Sequence, residues 1–458
     1  MNVTDARELA LSVKAVFESA QHALDGAADP PLIRKITDHL GCPLTEIPNV
    51  ALHLPAFEHV NLQRGVDAYL AAHTPETTWF GIAGNRRFNT VIDMLADASA
   101  GRMYQLGAVD YTTVATGPET STEAVQLGLV CTTAPDGTPV VLAVQGAQED
   151  RGEERCHLQL LAADRATAAT VREEVERLMR ERDLFRGKVL AFGTSEHRHN
   201  QLLTFLPRPE LDAEDVVLPD GVLSSIERHV VRGEEQTEAL KAHGQHLKRG
   251  LLLYGPPGTG KTHTVRYLLS RAPESTVFVL SGAAMIRFLR ATTSLARRLA
   301  PSIVVVEDVD LIAKDRTMSM DGNPVLFELL NEMDGIGSEA DVTFVLTTNR
   351  VEAMERALTE RPGRIDLAVE VPKPDAECRE RLLRLYARAT TLNLPRADEV
   401  VAATEGVTAS FIKELVRRAV LEQVEAGSEE MTEATLSTAL AGLMDERQAL
   451  TRSILGGH

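Results

Sequence analysis

Cysteine is scarce in this chain. Only Cys42, Cys131, Cys156 and Cys378 occur, far apart and without a Cys-x-x-Cys pair. That spacing argues against a disulfide or zinc framework and fits reduced core thiols in a cytosolic protein. Basic residues are also in deficit: 48 Lys and Arg face 66 Asp and Glu, a net charge of −18. Affinity for a phosphate backbone comes mainly from clustered Lys and Arg, so a general nucleic-acid binder is not expected. No hydrophobic run approaches the roughly 18 consecutive apolar residues of a membrane span. The opening Met-Asn-Val-Thr-Asp-Ala-Arg-Glu lacks the basic-then-apolar order of a signal peptide. These absences lead us to expect a soluble cytoplasmic protein. What remains is ordinary globular composition, 44% apolar and 25% charged over 458 residues, enough for two or three domains.

The most informative stretch is Leu251-Leu-Leu-Tyr-Gly-Pro-Pro-Gly-Thr-Gly-Lys-Thr262. Four apolar residues read as a short buried strand, Gly255 to Lys261 as a loop, and Thr262 as the opening of a helix. This is the phosphate-loop pattern G-x-x-x-x-G-K-[ST] in its strand–loop–helix setting. Gly258 and Gly260 permit positive φ and close approach of the backbone to phosphate. Successive N–H groups and the helix N-terminus then converge on the anion. Lys261 places a charge on the β- and γ-phosphates, and the Thr262 hydroxyl reaches Mg²⁺. The nucleotide-binding set is therefore Gly255, Pro256, Pro257, Gly258, Thr259, Gly260, Lys261, Thr262 and the adjoining His263.

Residues 1–205 read as an α+β domain with an antiparallel sheet and a helical front end. Helices are expected over 5–24, over 31–41 and around Leu62 to Ala72. Short β-rich runs follow at Trp79–Ile82, Val125–Thr133, Pro139–Gln145 and Cys156–Ala162, with a hairpin signal at Asp136-Gly137. Val171, Val175, Leu178 and Met179 share one face of a further helix whose other face is charged. Phe185 to Phe192 reads as a loop leading into another strand. No catalytic constellation is visible here, and the isolated pair His197/His199 is too few ligands for a metal site. This domain is expected to bind a partner or client. The acidic, Pro-containing stretch 206–215 reads as a linker.

From Val216 strands and helices alternate, as in a doubly wound α/β domain. Ser302-Ile-Val-Val-Val-Glu-Asp-Val-Asp310 is a buried strand ending in acids at the edge where open parallel sheets bind ligands. Acids there can hold a Mg²⁺ shell and polarise water. A second strand ends in Thr347-Thr-Asn349, and the Asn349 amide can orient water with a donor and an acceptor at once. Arg361 and Arg364 flank Pro-Gly. They suit transition-state charge on phosphate, or could alternatively make structural salt bridges.

Taken together these motifs resemble the AAA ATPases of the AAA+ superfamily over about Val216 to Leu443. The carriers are Gly-Pro-Pro-Gly-Thr-Gly-Lys-Thr, the acidic strand through Asp308, Glu328-Leu-Leu-Asn-Glu-Met-Asp-Gly335, Thr347-Thr-Asn349 and Arg361-Pro-Gly-Arg364. The resemblance implies a P-loop large subdomain over 216–372 and a small helical lid over 373–458. It also implies ATP and Mg²⁺ as cofactors, a ring, usually a hexamer, and Arg361 and Arg364 as fingers reaching a neighbouring subunit. The family's Asp-Glu order is reversed here. Glu307 then takes the Mg²⁺ shell with Thr262, and Asp308 the water-polarising role. That order is also seen in the group containing the mitochondrial Rieske-protein translocase, and the chain is similar to YjoB-like bacterial AAA chaperones. No Gly follows Phe288, so an amphipathic helix is expected in place of the usual aromatic pore loop, with Phe288 facing the channel as the alternative. The implied activity is ATP-driven remodelling of a protein client, with a slowly hydrolysing nucleotide-gated scaffold as the alternative.

Overall fold

The structure is a computed structural model. It describes residues 29–84, 90–100, 103–146, 155–193, 203–310, 324–335, 337, 339–351, 364–393, 397–428 and 430–454. Two compact units divide the chain: Met1–Leu184 with Thr194–Thr204, and Phe185–Gly193 with Phe205–His458. The helix expected over 5–24 and the His197/His199 pair lie outside the described residues.

The first unit is built from α1 (Pro31–Leu40), β1 (Val50–Pro55), α2 (His59–His73), β2 (Trp79–Ala83), α3 (Val91–Ser99), β3 (Gln105–Gly107), β4 (Asp110–Ala115), β5 (Ser121–Thr133), β6 (Pro139–Gln145), β7 (Arg155–Ala162) and α4 (Arg165–Glu181). Pro31 starts α1 and Gly41, at φ +72°, stops it, the asymmetry expected of helix ends. Its face of Leu32, Ile33, Ile36 and Leu40 is buried, each side chain worth about 1.5–3 kcal/mol. The sheet runs β1-β7-β6-β5-β2-β3, with β4 also on β5. Its pairings are antiparallel. Along β6, Val140, Leu142 and Val144 pack with α2 and α4. Val141 and Ala143 pack with α1 and α3. Both faces are covered, which is why β6 reads as a continuous apolar run instead of alternating. At the β5–β6 hairpin Gly137 takes φ +89°, and Asp136 accepts from the Thr138 N–H at 3.0 Å.

The second unit contains β8 (Val189–Phe192), β9 (Leu203–Leu206), α5 (Val222–Glu235), β10 (Arg249–Tyr254), α6 (Lys261–Arg271), β11 (Thr276–Ser281), α7 (Gly282–Arg298), β12 (Ser302–Glu307), α8 (Pro324–Gly335), β13 (Val342–Thr348) and β14 (Leu367–Glu370). Four helices follow: α9 (Ala376–Tyr386), α10 (Ala397–Ala403), α11 (Ala409–Glu425) and α12 (Glu433–Ile454). They share a separate core that includes Leu382, Val400, Ile412, Leu415 and Leu436. The sheet order is β14-β10-β13-β12-β11-β8-β9, and the pairings from β14 through β8 are parallel. The apolar strands bury both faces against helices, as parallel sheets require.

Two expectations about organisation need correction. A single boundary at 205 leaves out an excursion: Phe185–Gly193 belongs to the second unit, because Val189, Leu190 and Ala191 pair with Val277, Phe278 and Val279 of β11. The sequence of β8 marks a strand but does not name its partner. Nor do residues 206–215 behave as a free linker; they lie along α6. The Arg208 guanidinium donates to the carbonyls of Leu269 (2.8 Å), Ala272 (2.9 Å), Gly187 (3.2 Å) and Ser275 (2.8 Å). It thereby satisfies orphan carbonyls and complements the dipole at the C-terminal end of α6. Further on, Leu211 accepts from the Ser270 hydroxyl at 2.8 Å. At the other end of the helix the Asp215 carbonyl sits 2.9 Å from His263 Nε2. The Asp215 carboxylate binds Arg388 of the lid region at 2.7 Å. Proline and acid suit a strap as well as a linker, so composition alone could not separate the two.

Candidate nucleotide site

Strand β10 is buried from Arg249 through Leu253 and delivers the chain to the loop at Gly255. Gly255 has φ +146°, and a Cβ there would lie 2.3 Å from the Val371 carbonyl; only glycine lets the loop turn this close to the neighbouring strand. Gly258 and Gly260 take φ +78° and +111°, as the motif required. Within the loop Thr259 donates to the Pro256 carbonyl at 3.0 Å, and Thr264 ties α6 to the Gly260 carbonyl at 3.1 Å.

Lys261 is buried. Its ammonium donates to the carbonyls of Gly255 (2.8 Å) and Pro256 (2.9 Å) and to Asn349 Oδ1 (2.8 Å). Burial pushes its pKa below the usual lysine value, against the opposing pull of Asp308 and Asp310. The Asn349 Nδ2 group donates to Asp308 Oδ1 at 3.1 Å. Hence the side chain of one residue at the tip of β13 links the loop lysine to the acid at the tip of β12. Asp308 has left the strand: its φ is +49°, and its N–H donates to Thr347 Oγ1 at 3.0 Å. A non-glycine residue in that region is uncommon and concentrates at functional positions. Glu307 closes β12 and is partly exposed, while Thr262 is exposed at the start of α6.

The geometry thus brings Lys261 of the loop together with Asn349 and Asp308, while Glu307 ends the strand just before Asp308. An ammonium, an exposed hydroxyl and two carboxylates around a positive-φ loop are a donor set suited to a magnesium nucleotide. Arg361 lies outside the described residues. Arg364 is 7% exposed and forms an ion pair with Asp334 of its own chain; among the described residues its Nη1 is buried without a partner. This is the structural salt bridge that the sequence left open. Phe288 also turns inward, 6% exposed and stacked on Phe192 with ring centroids 5.0 Å apart. It packs in the helix core.

Sequence reasoning assigned no role to three participants. Asp310 is almost fully buried beside Asn349. It stood in plain view at the acidic strand end, but only the fold shows which way it turns. Thr408 and Ser410, at the start of α11, bring hydroxyl oxygens to 3.1 Å from where a Gly258 Cβ would stand. The Ser410 N–H donates to the Gly258 carbonyl at 3.0 Å. Their distance in the chain from the loop hid this proximity.

A glycine loop leading from a parallel strand into a helix with a buried lysine, faced by acids at the adjacent strand tips, defines a P-loop nucleoside-triphosphate-binding domain. More particularly, residues 251–373 match the family of ATPases associated with various cellular activities (AAA), and the chain carries an AAA ATPase domain. It is 28% identical to the proteasome-activating nucleotidase of Methanocaldococcus jannaschii, over 53% of this chain and 59% of that one. It is 32% identical to the ATP-dependent zinc metalloprotease FtsH 2 of Symbiobacterium thermophilum, over 49% and 40%. It is also 32% identical to the 26S proteasome regulatory subunit 8 homolog of Schizosaccharomyces pombe, over 39% and 47%. The chain spans about half the length of the curated relatives it matches. No helix among the described residues is long and apolar enough to cross a membrane.

Proposed function

We propose that the chain is an ATP-hydrolysing ring protein, a hexamer in the cytoplasm, that remodels or chaperones a protein client through its first unit. The observation that carries this reading is the chain of hydrogen bonds Lys261–Asn349–Asp308. Lys261 meets the phosphates, and its present carbonyl partners give way to phosphate oxygens. Thr262 and Glu307 would hold Mg²⁺, which when bound would neutralise phosphate charge. Asp308 takes the proton side of the attacking water, and Asn349 orients that water. Arg361 acts across the subunit interface. Arg364 serves instead to fix the neighbouring backbone through Asp334. The net charge argues against nucleic acid as partner.

Remodelling without threading through an aromatic pore loop fits the burial of Phe288. Steady-state ATP turnover with and without a chemically unfolded model protein tests this reading. Stimulation by the unfolded chain supports it. A turnover rate that stays slow and unmoved, together with partner binding that follows the bound nucleotide, favours the second reading: a nucleotide-gated scaffold. That alternative draws on Asp308, one methylene shorter than the glutamate usual at its position.

A further inference from the structure

Asp310 lies two residues beyond Asp308 and is 5% exposed. An isolated carboxylate so deeply buried is costly, and this one is engaged on both sides of the β13 tip. Its Oδ1 accepts the Asn349 backbone N–H at 3.0 Å and the Thr348 hydroxyl at 3.1 Å. Thr348 is itself fully buried and also accepts the Arg350 N–H at 3.0 Å. The tips of β12 and β13 are joined by these bonds and by the Asp308 N–H to Thr347 Oγ1 bond at 3.0 Å. The Asn349 side chain then faces Lys261 and Asp308.

We infer that Asp310 is a positioning residue for ATP hydrolysis, acting through Asn349 and touching neither nucleotide nor water itself. Hydrogen bonds to an ionised acceptor are shorter and about twice as strong as neutral ones, so Asp310 fixes the backbone from which the Asn349 amide projects. A rotated Asn349 cannot accept from Lys261 and donate to Asp308 together. The inference rests on the role given to Asn349 above.

The test is a double-mutant cycle on the full chain, with ATP affinity and single-turnover hydrolysis read separately. Asp310→Ala slows hydrolysis on the order of tenfold to a hundredfold, the effect of misplacing a group near the reacting atoms. Affinity for ATP stays within about threefold, because the hydrogen bonds of Lys261 and the loop do not include Asp310 and binding and turnover report different interactions. Asp310→Asn, which keeps an acceptor oxygen but weakens both bonds, falls between Asp310→Ala and the parent and guards against a folding defect in the alanine variant. Asp310→Ala combined with Asn349→Ala is no slower than Asn349→Ala alone. Parental hydrolysis in both Asp310 variants, or losses that multiply in the double variant, overturns the inference. If Asn349→Ala itself hydrolyses at the parental rate, the role of Asn349 fails and this inference with it. A slow Asn349→Ala beside a parental Asp310→Ala removes the inference alone.

Discussion

The ammonium of Lys261 stands 2.8 Å from the amide oxygen of Asn349, a residue 88 positions away in the chain. A parallel sheet creates this meeting, because β10 and β13 are adjacent and in register from Arg249–Thr343 to Tyr254–Thr348. The loop after one strand therefore faces the tip of the next. Lys261 also donates to two carbonyls of its own loop.

Lys261→Ala removes the one ammonium aimed at the phosphates. Losing a charged hydrogen bond costs about 1.5–3 kcal/mol. ATP affinity measured by isothermal titration is expected to fall by at least about tenfold and up to about a hundredfold. Unaltered affinity contradicts the phosphate-loop assignment.

Arg208 closes the C-terminal end of α6 with four carbonyl contacts. Arg208→Ala leaves these carbonyls short of a donor and frees the strap that leads to Asp215. The expected loss is on the order of 2–3 kcal/mol. It is read from urea unfolding of the transition that ATP stabilises, since ligand binding marks the unit that binds it. An unmoved midpoint removes the strap from the account.

Arg364 and Arg361 are expected to separate. Breaking the Arg364–Asp334 pair costs about 1–3 kcal/mol of stability, Asp334 being half exposed and rehydrated by water. Arg361→Ala leaves stability unchanged and lowers turnover, with partial rescue on mixing with Lys261→Ala protein, where an intact arginine meets an intact loop. Thermal unfolding and turnover of the two variants decide this. A stable, inactive Arg364→Ala restores it as a finger.

His59 is buried and bonds the Val125 carbonyl at 2.8 Å. Burial holds its pKa below the ordinary 6.5, while that bond works the other way. The unfolded chain therefore binds the extra proton first on acidification, so stability rises with pH through the window below 6.5. The first unit loses stability as pH falls from 6.5 toward the folded value. His59→Gln flattens that part of the pH profile of thermal unfolding. An unchanged slope assigns it to other groups, of which His157 is lowered by the same cause.

The loop and its strand–helix setting were legible because each glycine and the lysine answer a local demand of phosphate binding. Most strands of the first unit were legible too, from β-rich runs and the Asp136-Gly137 turn. What could not be read was partnership. Val189–Phe192 is as apolar as a strand of either sheet, and only pairing with Val277–Val279 assigns it. Arg208 looks like any charged residue near prolines until four carbonyls converge on it. Arg364 carried two readings in the sequence, and the sequence could not show that Asp334 stands beside it. Phe288 also carried two readings, helix core and pore loop, and its burial against Phe192 places it in the core.

The most direct test of the account is Asp308→Asn, which keeps the shape of the site and its bond to Asn349 while removing the base. Binding of ATP and its hydrolysis are measured on the same preparation. The account predicts ATP affinity close to the parent and turnover lowered on the order of a hundredfold or more, within the range general-base catalysis supplies. Hydrolysis near the parental rate contradicts it and moves the base elsewhere.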